Sequence, residues 1–237
     1  MAAATADHTG VGTLQRLGHA VILLGPPGAG KGTQAQRIAQ RYRLPHLSTG
    51  DMFRDNIRRD TELGRRAKPV MERGELVPDE IVLSMVEDRI AQQDCQNGFV
   101  FDGFPRTLAQ ADALERICQR HQFGCTVVLH MVVDTELLMR RLTGRRICQN
   151  GGHIYNIYDR PPKQEGVCDE DGSKLIHRPD DTEGVISERL LAYEKQTCPL
   201  VDYYRVRGLL SPVDAMAEAD AVTANIAKIL DGAETPR

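Results

Sequence analysis

No apolar run in this 237-residue sequence approaches the ~20 residues that a membrane-spanning helix needs, which speaks against a helical membrane anchor. Neither sign of charge dominates: 30 Lys+Arg stand against 33 Asp+Glu, a net charge of −3. Whole-chain charge therefore gives no ground for expecting a nucleic-acid or membrane partner, and an anionic ligand must be met by a local cluster of cations. There is no internal repeat, and no low-complexity tract beyond the first residues, which excludes a repeat array. Cysteine is sparse and scattered: Cys95, Cys118, Cys125, Cys148, Cys168 and Cys198 lie far apart in a chain large enough to need no staples. Reduced thiols, a monomer and a cytoplasmic setting are the expectation. The first 18 residues have neither a basic n-region nor an apolar h-region and read as a frayed extension.

The chain does have the balance of a globular protein, 41% apolar and 27% charged, which excludes a disordered chain, a collagen or a bare coiled coil. Its length suits one generous domain carrying small insertions. His19–Leu24 (HAVILL) is a short apolar run of the kind that forms a buried parallel strand, and residues 99–101, 126–133 and, more weakly, 208–213 repeat the pattern. Helical spacing occupies residues 31–43, 51–59, 63–72, 79–93, 108–120, 135–141, 183–207 and 217–230. Strand–helix alternation of this kind predicts a doubly wound α/β fold with a parallel sheet covered on both faces. Residues 144–182 break the rhythm with five glycines, Pro161–Pro162 and no helical period, and read as a small inserted β-rich subdomain.

The first strand runs directly into Gly25-Pro26-Pro27-Gly28-Ala29-Gly30-Lys31-Gly32-Thr33. This is the G-x4-G-K-[ST] arrangement between strand and helix, except that Gly32 precedes the threonine. Glycines let backbone N–H groups turn toward phosphate oxygens, the helix N-terminus adds its positive end, and Lys31 adds a full charge. GPPGAGKGTQ resembles the phosphate loop of nucleoside monophosphate kinases, of adenylate kinases in particular. LSTGDMFR (47–54), GELVPDE (74–80), DGFPRT (102–107), GRR (144–146), RPDD (178–181) and ERL (188–190) follow in that family's order and approximate spacing. The chain is thereby identified as resembling a long-lid adenylate kinase from about residue 20 to about residue 230.

The resemblance implies a P-loop fold with a five-stranded parallel sheet in residues 19–232, an AMP-binding flap at 48–77, a lid at 144–182 and a short tail at 233–237. It implies reversible phosphoryl transfer from Mg·ATP to AMP, giving two ADP, with lid closure excluding water. The alternatives are a GTP-dependent AMP kinase or another nucleoside monophosphate kinase, and last a nucleotide-binding module without catalysis. Phosphoryl transfer asks for in-line positioning and convergent cations. The implied catalytic set is Lys31, Arg106, Arg145, Arg178 and Arg189. ATP would be held by Gly28, Ala29, Gly30, Lys31, Gly32, Thr33, Arg141, Arg145, Ile154, Tyr155 and Ala217. AMP would be held by Thr49, Arg54, Glu75, Leu76, Val77, Gly103, Phe104, Pro105, Arg106, Gln110, Arg178 and Arg189. Asp102 would hold Mg²⁺ through water. Relatives staple the lid with a metal in the pattern C-x2-C-x16-C-x2-[CD]; here Cys148, Cys168 and Asp171 match, but Gly151 occupies the second position. His153 would complete a structural zinc site, giving C-x4-H-x14-C-x2-D, against the alternative of a metal-free lid held by hydrogen bonds.

Overall fold

The computed structural model describes residues 19–123 and 126–232. The expected extension, the tail and Cys125 lie outside the described residues. Five strands form one parallel sheet: β1 (His19–Leu24), β2 (His46–Ser48), β3 (Gly98–Asp102), β4 (Thr126–Val132) and β8 (Leu210–Asp214), in the order β2-β3-β1-β4-β8. Their register is continuous across the sheet, with Val21 opposite both Val100 and Val127. Every residue of β1 is buried, as expected for a central strand with helices on both faces.

Nine α-helices surround the sheet among the described residues: α1 (Lys31–Tyr42), α2 (Thr49–Arg58), α3 (Glu62–Glu72), α4 (Asp79–Ile90), α5 (Leu108–Arg120), α6 (Thr135–Thr143), α7 (Glu183–Ala192), α8 (Pro199–Val206) and α9 (Ala219–Gly232). On one face of the sheet Ala20, Ile22, Phe99 and Phe101 pack with α4, α5 and α8. On the other, Val21, Leu23, Val100 and Leu129 pack with α1 and α9. Alternate residues of each strand thus serve opposite cores.

The five-stranded parallel sheet is as expected, and residue patterning differs from the structure at two places. The sheet has a fifth strand, β2, that residue patterning did not mark: three residues are too few to show a period, and β2 leads straight into α2. The helix expected over residues 183–207 is two helices, divided by a π-helical segment at Tyr193–Thr197 and restarted at Pro199. A π turn accommodates an additional residue and changes the facing direction, so the sequence continues its apolar rhythm while the backbone does not.

The irregular insertion folds as a separate antiparallel sheet, β6 (Ile154–Asn156), β5 (Arg145–Cys148) and β7 (Leu175–Ile176), in that spatial order. Its small core is Cys148, Tyr155, Cys168 and Leu175. Gln36 Nε2 on α1 donates to Gly152 O at 3.4 Å, so the insertion rests on the helix that follows the phosphate loop.

Phe101 sits at the centre of the larger core, 1% exposed, with its ring 4.9 Å from that of Phe99 and 5.1 Å from that of Phe104. Phe101→Ala is expected to lower unfolding free energy by about 3–5 kcal/mol, read as a shifted urea midpoint at unchanged m-value.

Candidate active site

The carboxyl ends of β1 and β3, the N-terminus of α1 and the small sheet enclose a cavity of about 630 Å³. Parallel α/β sheets present ligand sites at this end because the helix N-termini and connecting loops gather there. Gly28 and Gly30 hold φ of 85° and 86°, a left-handed conformation open to glycine, and this turns the loop's amides around the cavity mouth. Lys31 Nζ lies against the loop, donating to Gly25 O and Pro26 O at 2.8 Å each. A side chain at position 32 would bring its Cβ within 3.2 Å of Asp102 Oδ2 and 3.4 Å of Ile154 Cδ1. The departure from the strict loop pattern at Gly32 therefore clears room for the carboxylate at the end of β3.

The expected phosphate-loop residues 28–33, Asp102, Gly103, Pro105, Ala217 and all the expected arginines line this one cavity. Each arginine is held by a specific partner. Arg145 makes a two-pronged pair with Asp181, Nε to Oδ2 at 2.8 Å and Nη2 to Oδ1 at 2.5 Å. Arg189 Nη1 reaches Asp181 Oδ1 at 3.0 Å and Asp180 Oδ2 at 3.2 Å. Arg54 and Arg178 share Asp51 Oδ1, at 2.6 and 3.3 Å. Arg106 is anchored three ways: Nε donates to Gly103 O, its amide donates to Gln110 Oε1, and its carbonyl accepts from Thr197 Oγ1, at 2.8, 2.8 and 2.9 Å. Arg141 Nη1 donates to Ala215 O at 3.0 Å.

Crowding cations in a buried space shows in their ionisation. Burial, reinforced by the neighbouring Arg106, Arg189 and Arg145, pushes Lys31 down to about 7 even though Asp102 pulls the other way. Burial and then Arg189 bring Arg106 to about 10, and burial and then Arg54 bring Arg178 to about 9, so both guanidinia remain charged at neutral pH. Asp51 is driven the opposite way: burial alone would raise it, yet Arg54 and Arg178 hold it at about 2. Asp102 is likewise low despite its burial, because His46 and Lys31 stand beside it. His46 Nε2 is 3.7 Å from Asp102 Oδ2.

A second, smaller cavity lies under the α2–α3 flap, lined by Thr49, Glu75, Leu76, Val77, Gly103, Arg106 and Gln110, among others. Thr49 Oγ1 donates to Gly103 O at 2.9 Å. Both ends of the Gln110 amide are engaged, Oε1 by the Arg106 amide and Nε2 by Asp79 Oδ1 at 2.6 Å. Phe104 stands apart from both cavities, with its side chain buried in the core. Ile154 and Tyr155 both line the large cavity, and the Tyr155 hydroxyl is tied into the small sheet, accepting from Asp169 N at 2.8 Å and lying 3.5 Å from Cys168 Sγ.

In the insertion, the four expected ligand atoms come together. One each from Cys148, His153, Cys168 and Asp171 lie within 4.8 Å of one another. Cys148 Sγ is 3.2 Å from Asp171 Oδ2, and His153 Nδ1 is 3.2 Å from Cys168 Sγ and 3.8 Å from Asp171 Oδ2. These separations bracket the ~3.5 Å edge of a tetrahedron with metal–ligand bonds of about 2.0–2.3 Å. A Cβ at position 151 would fall 2.3 Å from His153 Cε1, so the glycine there is what lets the imidazole enter. Cys95 and Cys118 are buried elsewhere, and Cys198 is exposed.

The counter-acids Asp51, Asp180 and Asp181, together with Asp79, His46 and Thr197, were not singled out by sequence reading. Four of them, Asp51, Asp79, Asp180 and Asp181, stand inside motifs that were, LSTGDMFR, GELVPDE and RPDD, but nothing local announces a partner that lies across the cleft.

The family model for adenylate kinase matches residues 23–209. The adenylate kinase of Rhizobium etli is 52% identical over 211 residues, covering 89% of this chain and 98% of the relative. That of Caldicellulosiruptor bescii is 47% identical over 210 residues, with 89% and 98% covered. That of Archaeoglobus fulgidus is 46% identical over 211 residues, with 89% and 97% covered. The matched span takes in the phosphate loop, the small antiparallel sheet and every arginine of the cleft, and on this match the chain belongs to the adenylate kinase family.

Proposed function

We propose that the cleft carries out reversible phosphoryl transfer from Mg·ATP to AMP, giving two ADP, with the donor triphosphate on the loop and the acceptor under the flap. The observation that carries this reading is the convergence of Lys31, Arg54, Arg106, Arg145, Arg178 and Arg189 on one cavity. Asp51, Asp180 and Asp181 make this cluster tolerable within the protein, and cations gathered around one open cavity suit a polyanionic ligand.

The division of labour follows from position. Amides of residues 28–33 and Lys31 cradle the β- and γ-phosphates of ATP, and Arg141 flanks the donor base beside Ala217. Arg54, Arg106 and Arg178 grip the acceptor phosphate, planar forks meeting planar oxygens. Arg145 and Arg189 neutralise the equatorial oxygens of the group in flight. Thr49 and the backbone of residues 75–77 face the acceptor base. The small sheet at 144–182 closes over the loop and keeps water from intercepting the phosphoryl group. Cytoplasm and a monomeric state complete the proposal.

Mg²⁺ bound with ATP would supply neutralisation of phosphate charge, and Asp102, ionised and given space by Gly32, is the residue that would hold it through water. In the lid, Cys148, His153, Cys168 and Asp171 fit a tetrahedral zinc ion that would fasten the small sheet without entering the chemistry.

A coupled assay pairing ATP or GTP with each of AMP, GMP, CMP and UMP tests the reading: ATP with AMP is expected to turn over fastest, and faster turnover with UMP would overturn it. For Lys31 the sign of the pH effect is set by its lowered pKa. Between about pH 7 and 10.5 the native chain binds fewer protons at this lysine than the unfolded chain, so this group's contribution to stability rises with pH. Phosphate oxygens restore the charged form, so Mg·ATP binding at pH 8 is expected to take up close to one proton, shrinking toward pH 6. Calorimetry in buffers of different ionisation enthalpy reads this directly. Lys31→Met should abolish the uptake and lower kcat by about 10²–10³-fold.

Zinc is expected at about one per chain in protein purified without chelator, and less than ~0.2 would sink the staple. His153→Ala should lose the metal, and the double variant Gly151→Cys/His153→Ala should regain it by returning a ligand to position 151.

A further inference from the structure

Arg160 differs from the other cations around the large cavity. The arginines described above are each held by a carboxylate or carbonyl oxygen, whereas Arg160 lines the same space with no acid paired to it among the described residues. Its nearest acidic neighbour in sequence, Asp159, is taken by Arg140 at 3.6 Å. The side chain is exposed, and its one recorded contact is with an aromatic face: its guanidinium carbon lies 6.0 Å from the centroid of the Tyr155 ring.

The backbone beneath that free side chain is fixed. Arg160 and Asn156 form a bridge with both amides donating, each at 3.0 Å. Asn156 Oδ1 accepts from Tyr158 N at 2.9 Å and Asp159 N at 3.3 Å, closing the turn that carries Arg160. Its Nδ2 donates to Arg141 O at 2.9 Å. Arg160 is thereby held at a set position relative to Arg141, the cation at the donor-base end of the cleft. That end of the cavity also shows apolar side chains to solvent, Met216 at 53% and Leu137 at 37% exposed. A flat, weakly hydrated cation beside exposed apolar groups fits the face of a heteroaromatic ring, while the phosphates already have Lys31 and the paired arginines.

We propose that Arg160 is a donor-base residue: its guanidinium stacks on the purine ring of ATP as the lid closes, and sets affinity for the donor without touching the phosphates. The proposal rests on ATP being the donor. Failure of the wild-type chain to turn over ATP with AMP would overturn that reading, whereas the comparisons below concern Arg160 alone.

The test is steady-state kinetics on the full chain, with inorganic tripolyphosphate as an inhibitor competitive with ATP. Arg160→Ala is expected to raise KM for ATP about three- to tenfold, with Ki for tripolyphosphate and KM for AMP changed less than about twofold. Arg160→Lys, which keeps the charge but loses the plane, should behave like the alanine variant. Equal rises in KM for ATP and Ki for tripolyphosphate would place the cation on the phosphates and overturn the proposal. So would unchanged values for both, or full rescue by lysine. An unchanged thermal midpoint in both variants separates these effects from damage to the lid.

Discussion

Asp181 is the residue around which the cleft is organised. Its carboxylate is fully buried and receives Arg145 from β5 and Arg189 from α7, two guanidinia that alone would repel each other. Buried ions are tolerated when paired and hydrogen-bonded, and an unpaired one is strongly destabilising. The same logic repeats with Asp180 and Asp51. Positive charge is thus assembled at protein-interior density because acids are built in between the cations. The near-neutral total charge of the chain is the sum of a cleft of this kind and an ordinary mixed surface.

The small sheet serves two ends at once. β5 starts with Arg145, facing the phosphate region, and finishes three residues later with Cys148 in the sulfur–imidazole cluster. β6, paired to it, places Ile154 over Gly32 and Tyr155 against Cys168. Since a strand rises only ~3.3 Å per residue, whatever fixes the cluster also fixes Arg145 within about 10 Å of it. The proposed structural fastening and the proposed catalytic cation share one short, stiff element.

Much of this was readable from residue order. β1, β3 and β4 are legible as apolar runs because central parallel strands are buried on both faces. The phosphate loop and the arginines are legible because their spacing is set by local backbone. β2 was not, being three residues long, and neither was the break at Tyr193–Thr197, where Leu190, Leu200, Val201 and Tyr204 keep an apolar rhythm across a change of helix type. The counter-acids escaped for another reason. Asp51 and Arg178 stand 127 residues apart, and no local pattern encodes a pairing of that range. For His153, sequence left two lids open; the collision a side chain at 151 would suffer is a three-dimensional fact.

The sharing of Asp51 between Arg54 on α2 and Arg178 has a consequence for the proposed acceptor site. On the proposed assignment an incoming phosphate would not find naked cations; it would trade places with a carboxylate that already satisfies them. Net affinity is then the difference between two good ion pairings, so the orienting forces can be strong while the overall grip stays modest. The trade would run equally well backward, with Asp51 re-engaging both arginines as product leaves. An enzyme that must bind and expel nucleotides in either direction is served by a grip of that sort, firm in geometry and shallow in free energy.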